Sequence, residues 1–113
     1  MALKILIVDP DEAWLSQAKK YMSEQMYEVG TVVNGRDAQL ALYNDKYFAV
    51  IMNYDTQNHT CMQVMKFIKT NYTNQQVIIV VNEKELVEKE IVTEEKMIKL
   101  GATGIIVKPF ELS

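Results

Sequence analysis

Polar side chains follow several apolar runs of this sequence, at positions where proteins that alternate strands and helices often keep their chemistry. The run "ILIV" leads into Asp9 and then Asp11, and "AVIM" leads into Asn53 and then Asp55. Lys108 ends a third such run. Carboxylates are ligands that Mg²⁺ prefers, and a carboxylate oxygen can also act as a nucleophile. Because the carboxyl ends of parallel strands meet at one edge of a sheet, these residues are the first candidates for a site.

Four apolar runs predict strands that are covered on both faces, because they lack an alternation of apolar and polar residues. A weaker fifth run, at residues 27–33, contains Gly30 and suits an edge strand. Helical segments separate the runs, and this alternation predicts βα units with right-handed crossovers. We therefore predict an α/β fold with a doubly wound, five-stranded parallel sheet. The four strong runs are Leu3–Asp9, Phe48–Asn53, Gln76–Val81 and Gly104–Pro109.

The segments between the runs carry apolar residues at helical spacing. In the first segment we expect one buried stripe, made by Ala13, Trp14, Ala18, Tyr21, Met22 and Met26. Cys61, at the start of the third segment, is expected to pack as a small apolar group. The fourth segment, within residues 83–100, is dense in charge. Its outer face is either a remodelled surface for a partner or a solvated face.

Length, charge and composition limit the class of protein. With 113 residues, 49% of them hydrophobic and 24% charged, the chain is typical of one globular domain, which we place at residues 1–113. A net charge of −3 argues against a nucleic-acid binder. No apolar stretch approaches the roughly 18 residues that would suggest a membrane span. A lone cysteine, Cys61, forms no internal disulfide. We expect a cytoplasmic domain that binds neither nucleic acid nor membrane.

Three longer stretches resemble the receiver domain of bacterial two-component response regulators: "ILIVDPDE", "NGRDAQLAL" and "LGATGIIVKPF". The resemblance covers residues 3–112, and its most specific part is Gly101-Ala102 followed six residues later by "KPF". It implies a flavodoxin-like fold with strand order 2-1-3-4-5 and a site at the carboxyl ends of the first and third strands. In that family, two acidic residues after the first strand hold Mg²⁺ and an aspartate at the end of the third accepts a phosphoryl group.

The acidic part of that family site is incomplete here. Asp9 matches the first acidic residue, but Pro10 stands where the second, a direct metal ligand, is expected, and Asn53 stands at the phosphoacceptor. Phosphoryl transfer to an acyl oxygen requires an anionic nucleophile, and an amide carries no charge. The resemblance therefore implies a degenerate receiver, whose pocket is held by an Asp9–Lys108 ion pair and by amide hydrogen bonds without a metal.

The other part of the family site, at the ends of the fourth and fifth strands, is also altered. The family has a serine or threonine at the end of the fourth strand, and this position falls on Val81, or on Asn82 if the register shifts by one residue. Lys108 and Pro109 match the Lys-Pro pair that ends the fifth strand. Ile105 replaces the aromatic residue that usually turns with the hydroxyl residue during activation.

Two alternatives remain open for these residues. Asp55 could accept a phosphoryl group, with Mg²⁺ held by Asp9 and Asp11. The acidic stretch from Asp9 to Glu12 could instead only start a helix, with Asp9 as the N-cap, a proline in the first turn and an acid three residues after the cap. Asn53 would then only fix the loop that follows it.

We expect a phosphorylation-independent module of two-component signalling that is not an enzyme and acts by binding proteins. The chain ends where the family has a fifth helix, so a second copy could cover the face beside Trp14 and form a homodimer. This interpretation needs no cofactor, and Mg²⁺ enters only with the Asp55 alternative. The remnant of the phosphoacceptor pocket comprises Asp9, Pro10, Asn53, Val81, Asn82, Lys108 and Pro109.

Overall fold

Strands and helices alternate along the chain in the computed structural model, which describes residues 2–54, 61–82, 98–99 and 101–108, with Asn82 and Lys108 described by their backbone. The early elements are β1 (Lys4–Val8), α1 (Glu12–Glu24), β2 (Glu28–Val32) and α2 (Gly35–Asn44). The later ones are β3 (Ala49–Asn53), α3 (Cys61–Asn71), β4 (Gln76–Asn82) and β5 (Gly104–Lys108).

The five strands form one parallel sheet in the order β2-β1-β3-β4-β5. This order confirms the predicted doubly wound, flavodoxin-like sheet, and β2 lies at an edge as expected. Each strand lies within two residues of its predicted bounds, because the apolar runs that define them are bounded by polar residues and turns. The expectation that a fifth helix is missing concerns residues after 108, outside the described residues.

Apolar side chains fill a layer on each face of the sheet, because successive side chains of a strand point to opposite faces. The layer toward α2 and α3 includes Leu6, Val8, Val50, Met52, Val77, Ile79 and Val81. The layer toward α1 contains Ile5, Ile7, Leu15, Ala18 and Ala49. Covered strands of this kind need no polar alternation, which explains their sequence pattern.

The first helix buries a narrower stripe than the sequence predicted. Leu15 and Ala18 are its buried residues. Ala13 is exposed, and Met26 is 80% exposed because it lies after the end of the helix at Glu24. The predicted stripe was therefore wrong in including Ala13 and Met26 and in omitting Leu15.

The third helix confirms the prediction for Cys61, which is fully buried with Val64, Met65 and Ile68. The charged fourth segment falls almost wholly outside the described residues, so the prediction of a remodelled surface stays a prediction. No helix in the described ranges is long and apolar enough to cross a membrane.

Candidate functional site

Asp9 and Asn53 come together at the carboxyl edge of the sheet. β1 and β3 are neighbours in parallel register, with Val8 opposite Met52. Asp9 follows Val8, Asn53 ends β3, and the two residues therefore occupy adjacent strand ends. The backbone N–H of Asp9 donates to the carbonyl of Val32 at 3.1 Å, which holds Asp9 in line with β2.

The carboxylate of Asp9 is buried and accepts hydrogen bonds on both oxygens. Asp9 is 1% exposed. Its Oδ1 accepts the backbone N–H of Asp11 at 2.8 Å, and its Oδ2 accepts the Asn53 amide, Nδ2, at 3.2 Å. The opposite orientation of this amide would place two oxygens against each other, so the arrangement with the N–H toward Asp9 is favoured. Asn53 thus presents an N–H donor, and no negative charge, to the carboxylate of Asp9.

The start of α1 differs from the simple helix-start alternative. The N-cap is Asp11, whose carboxylate accepts the backbone N–H of Trp14 at 3.1 Å. Asp9 therefore does not cap the helix, because its side chain turns inward to Asn53 and to the backbone of Asp11. The alternative in which Asp9 only starts the helix is therefore wrong about the cap, which is Asp11.

The described residues do not fit the donor set that Mg²⁺ prefers. Asp9 already accepts an amide and a backbone N–H, Pro10 has no side-chain oxygen, and Asp11 caps α1. Within the described ranges, no three acidic, histidine or cysteine side chains lie close enough to hold a metal. Asp55 lies outside the described residues, so its predicted role as an alternative acid stays a prediction.

Of Val81 and Asn82, the two residues predicted as alternatives for the family's hydroxyl position, only Val81 has a described side chain, and that side chain is apolar and buried. Val81 is fully buried in the layer toward α2 and α3, against which Ile105 also packs. In the sheet register Val81 lies opposite Val107, and Asn82 lies opposite Lys108. The backbone thus brings Asn82 and Lys108 to the same edge as Asp9. The predicted Asp9–Lys108 ion pair and the role of Pro109 rest on atoms outside those described, so they stay predictions.

Solved structures of similar fold cover almost the whole chain. The receiver domain of the Francisella response regulator 1452 has a TM-score of 0.84 at 19% identity, over 97% of this chain and 87% of that one. The Vibrio cholerae chemotaxis response regulator CheY4 has a TM-score of 0.83 at 21% identity, over 99% of this chain and 91% of that one. The beryllofluoride-activated NtrC4 receiver domain dimer has a TM-score of 0.83 at 23% identity, over 96% and 86%. At these identities the likeness shows the fold.

The sequence itself matches a family over nearly its full length. No curated protein matches the chain significantly. Residues 5–113, however, match the family described as "Response regulator receiver domain". This match, with which the parallel sheet order agrees, shows that the chain belongs to the response regulator receiver domain family.

Proposed function

We propose that this receiver domain signals without phosphorylation, as a module that binds other proteins in a fixed state. The observation that carries the proposal is the hydrogen bond from the Asn53 amide to the buried carboxylate of Asp9. Asn53 offers no anionic oxygen for attack on phosphorus. Its N–H also donates a hydrogen bond to the carboxylate of Asp9. A second carboxylate at this position would instead repel Asp9 and would need a cation to relieve the repulsion.

The fourth and fifth strands support the same proposal. A switch needs an element with two arrangements that the signal can bias. Val81 is fully buried without a hydroxyl, and Ile105 packs against the same apolar layer. Neither side chain has a polar group that a phosphoryl oxygen could attract, so neither would respond to a phosphoryl group at the carboxyl edge of the sheet. The domain would then depend on its partners, in the cytoplasm, and catalyse no reaction of its own.

Self-association is part of the proposal. The NtrC4 receiver neighbour is a dimer. In this chain Ile106 is 36% exposed on β5, and Ile51 and Ile78 are half-buried. These side chains are compatible with a second copy covering the sheet beside α1, and size measurement by light scattering over a range of concentrations tests this part separately.

Intact-mass measurement tests the loss of phosphorylation. The chain is incubated with acetyl phosphate and millimolar Mg²⁺, alongside a receiver that retains aspartate at the position of Asn53. We expect the aspartate receiver to gain one phosphate and this chain to gain none. A phosphate gained by this chain and lost in Asp55→Asn would instead support the Asp55 alternative and overturn the proposal.

A further inference from the structure

The free side of β2 leaves backbone groups of this edge strand unpaired. The N–H of Glu28 donates to the residue before β1, and the carbonyl of Val32 accepts from the residue after β1. Alternate residues of a strand direct their backbone groups to the same neighbour, so Glu28 and Val32 turn theirs toward β1. Val29 and Thr31 therefore turn their N–H and C=O groups away from the sheet, and no described backbone hydrogen bond uses them.

This edge lacks the features that usually prevent two sheets from pairing. Edge strands are commonly protected by proline, by a bulge or by several charged side chains. β2 contains no proline, and its register with β1 is continuous, without a bulge. Glu28, at the start of β2, is its one charged residue, and Val29, Thr31 and Val32 are β-branched and half-buried. The edge is therefore suited to pairing with a further strand.

Each face of the sheet has a recess along this edge. On the face toward α2 and α3, a recess of about 280 Å³ is lined by Gly30 and Tyr47, and Gly30 has no side chain to fill it. On the face toward α1, a recess of about 330 Å³ lies between α1 and the pair Thr31 and Val33. Side chains of a strand point alternately to the two faces, so a strand added beside β2 would place side chains in both recesses.

The exposed side chains of α1 beside the second recess carry opposite charges at its two ends. Glu12, Ser16 and Lys19 lie at helical spacing and line this recess together. Glu12 and Lys19 form no ion pair with any residue that the structure describes. If the same helix face meets a copy of itself in the antiparallel direction, Lys19 of each copy comes opposite Glu12 of the other, with the small Ser16 between them. The charge pattern is therefore complementary to itself.

We propose that β2 pairs with β2 of a second copy, antiparallel and about a twofold axis at Thr31, so that the two sheets join into one. In this register Thr31 exchanges both backbone hydrogen bonds with Thr31 of the second copy, and Val29 pairs with Val33 of the second copy. Val32 of each copy lies opposite Gly30 of the other, where its side chain enters the recess that glycine leaves open.

The twofold axis at Thr31 is selected over the neighbouring register. An axis at Gly30 would also use the outward backbone groups, but it would place two glycines opposite each other. It would also place the apolar Val32 opposite the charged Glu28. The axis at Thr31 avoids both mismatches.

The same axis brings the two copies of α1 side by side on one face of the joined sheet. From Glu12 to Lys19 the helix spans about 10.5 Å, at 1.5 Å per residue. From Val29 to Val33 the chain spans about 13 Å, at 3.3 Å per residue. Because these lengths are similar, the register that pairs Val29 with Val33 also brings Glu12 of each copy near Lys19 of the other. The charges on α1 thus favour a second copy over an extended segment of another protein.

Light scattering of the full chain over a range of concentrations detects the dimer, and substitutions of Thr31 locate it. Thr31→Pro removes an N–H that points out of the sheet, so it blocks the new pairing and keeps the bonds to β1. Thr31→Val keeps that N–H and is the matched control. We expect Thr31→Pro to weaken dimerisation roughly tenfold or more and Thr31→Val to stay within about twofold of the unsubstituted chain. A monomer at every concentration, or equal dimerisation by Thr31→Pro, would overturn the proposal.

Charge reversal on α1 tests the same contact without changing the sheet. Glu12→Lys and Lys19→Glu each bring like charges together twice in the dimer, so each should weaken dimerisation roughly threefold to tenfold. The double variant restores both pairs with their signs exchanged, and it should dimerise within about twofold of the unsubstituted chain. Single variants without effect, or a double variant that does not recover, would contradict the pairing of Glu12 with Lys19.

Amide hydrogen exchange measured by NMR reports the register of the pairing. The amides of Val29 and Thr31 should exchange roughly tenfold more slowly in the dimer than at concentrations where the chain is monomeric. The amide of Gly30 points toward β1 and is the internal control, so its exchange should not follow dimerisation. Exchange at Val29 and Thr31 that is independent of dimerisation would exclude β2 from the interface.

The contact at β2 is separate from the self-association proposed beside Ile106, because β2 and β5 are opposite edges of the sheet. Ile106→Glu should therefore leave the dimer at β2 intact. A dimer that is lost in Ile106→Glu and kept in Thr31→Pro would overturn the contact at β2. None of these measurements involves phosphorylation, so failure of this inference and failure of the proposed function are distinguishable.

Discussion

The amide of Asn53 donates to the carboxylate of Asp9 across the ends of two neighbouring strands, with 3.2 Å between Nδ2 and Oδ2. Asp9 is buried, and a buried carboxylate without partners costs several kcal/mol. The amide and the backbone N–H of Asp11 meet part of that cost with no metal. The Asn53 amide is therefore expected to contribute to the stability of the domain.

Asn53→Asp should destabilise the domain in the absence of metal. The change removes a donor from Asp9 and places a second negative charge beside it, which should lower the free energy of unfolding by about 1–3 kcal/mol. Urea unfolding at neutral pH measures this loss. Millimolar Mg²⁺ should recover part of it in Asn53→Asp and should not change the unsubstituted chain.

Asn53→Ala is the matched control, because it removes the donor without adding charge. It should cost less than Asn53→Asp and show no recovery with Mg²⁺. Stabilisation of the unsubstituted chain by Mg²⁺ to the same extent as the aspartate variant would show that the site still binds the metal.

Val81→Thr should lower stability although valine and threonine have similar shapes. Val81 is fully buried among apolar side chains, so a hydroxyl there lacks a partner and should cost about 1–3 kcal/mol. Val107→Thr, on the strand opposite, changes a half-buried side chain and should cost less. Denaturant unfolding of both variants makes the comparison, and equal losses would mean that Val81 has a polar neighbour.

Met26→Gly should raise stability. Met26 has a φ of 73°, in the left-handed region, and is 80% exposed, so little packing is lost when its side chain is removed. It follows α1 in a Schellman motif, in which the N–H of Tyr27 donates to Met22 at 3.2 Å. Glycine relieves the backbone strain and should gain about 0.5–1 kcal/mol.

Thermal unfolding of Met26→Gly and Gln25→Gly isolates the backbone effect. Gln25 has a φ of −88°, which any residue adopts, so glycine there should only lose stability. A loss in both variants would show that the Met26 side chain makes a contact worth more than the strain.

Because of the Lys4–Asp45 ion pair, the free energy of unfolding should depend on pH in the acid range. The pKa of Asp45 is held low, first by the hydrogen bond from Lys4 and then by the backbone N–H of Lys46. Because the folded pKa is depressed, the pair stabilises the fold above the usual aspartate pKa of about 3.9, and this contribution is lost as pH falls through the lower folded value.

NMR titration of the Asp45 carboxyl carbon measures this shift. Lys4→Met should return its pKa toward the usual value. Glu28→Gln is the control, because Glu28 lies 3.9 Å from the same amine and does not contact Asp45 in the described hydrogen bonds and ion pairs. An unchanged titration in Lys4→Met would show that Lys46 alone lowers the pKa.

Most of the fold could be predicted from the sequence, because five apolar runs of strand length alternate with helical segments. The runs ending near Val8 and Asn53 became β1 and β3 almost unchanged. The helix stripe was less predictable, since the residues that α1 buries depend on where the helix begins and ends. Leu15 faces the sheet and Ala13 does not because the helix starts at Glu12, after the cap at Asp11.

The sequence by itself determined which groups are present at the site: an acid at position 9, a proline at 10 and an amide at 53. These side chains already exclude an acyl phosphate on residue 53, because an acyl phosphate forms on a carboxylate and Asn53 carries an amide. Only the tertiary structure decided where each group points. The pairing of β1 with β3 turns Asp9 inward onto the Asn53 amide, and the packing of β4 buries Val81. Residues 44 positions apart meet only when the sheet forms, so no local pattern contains that contact.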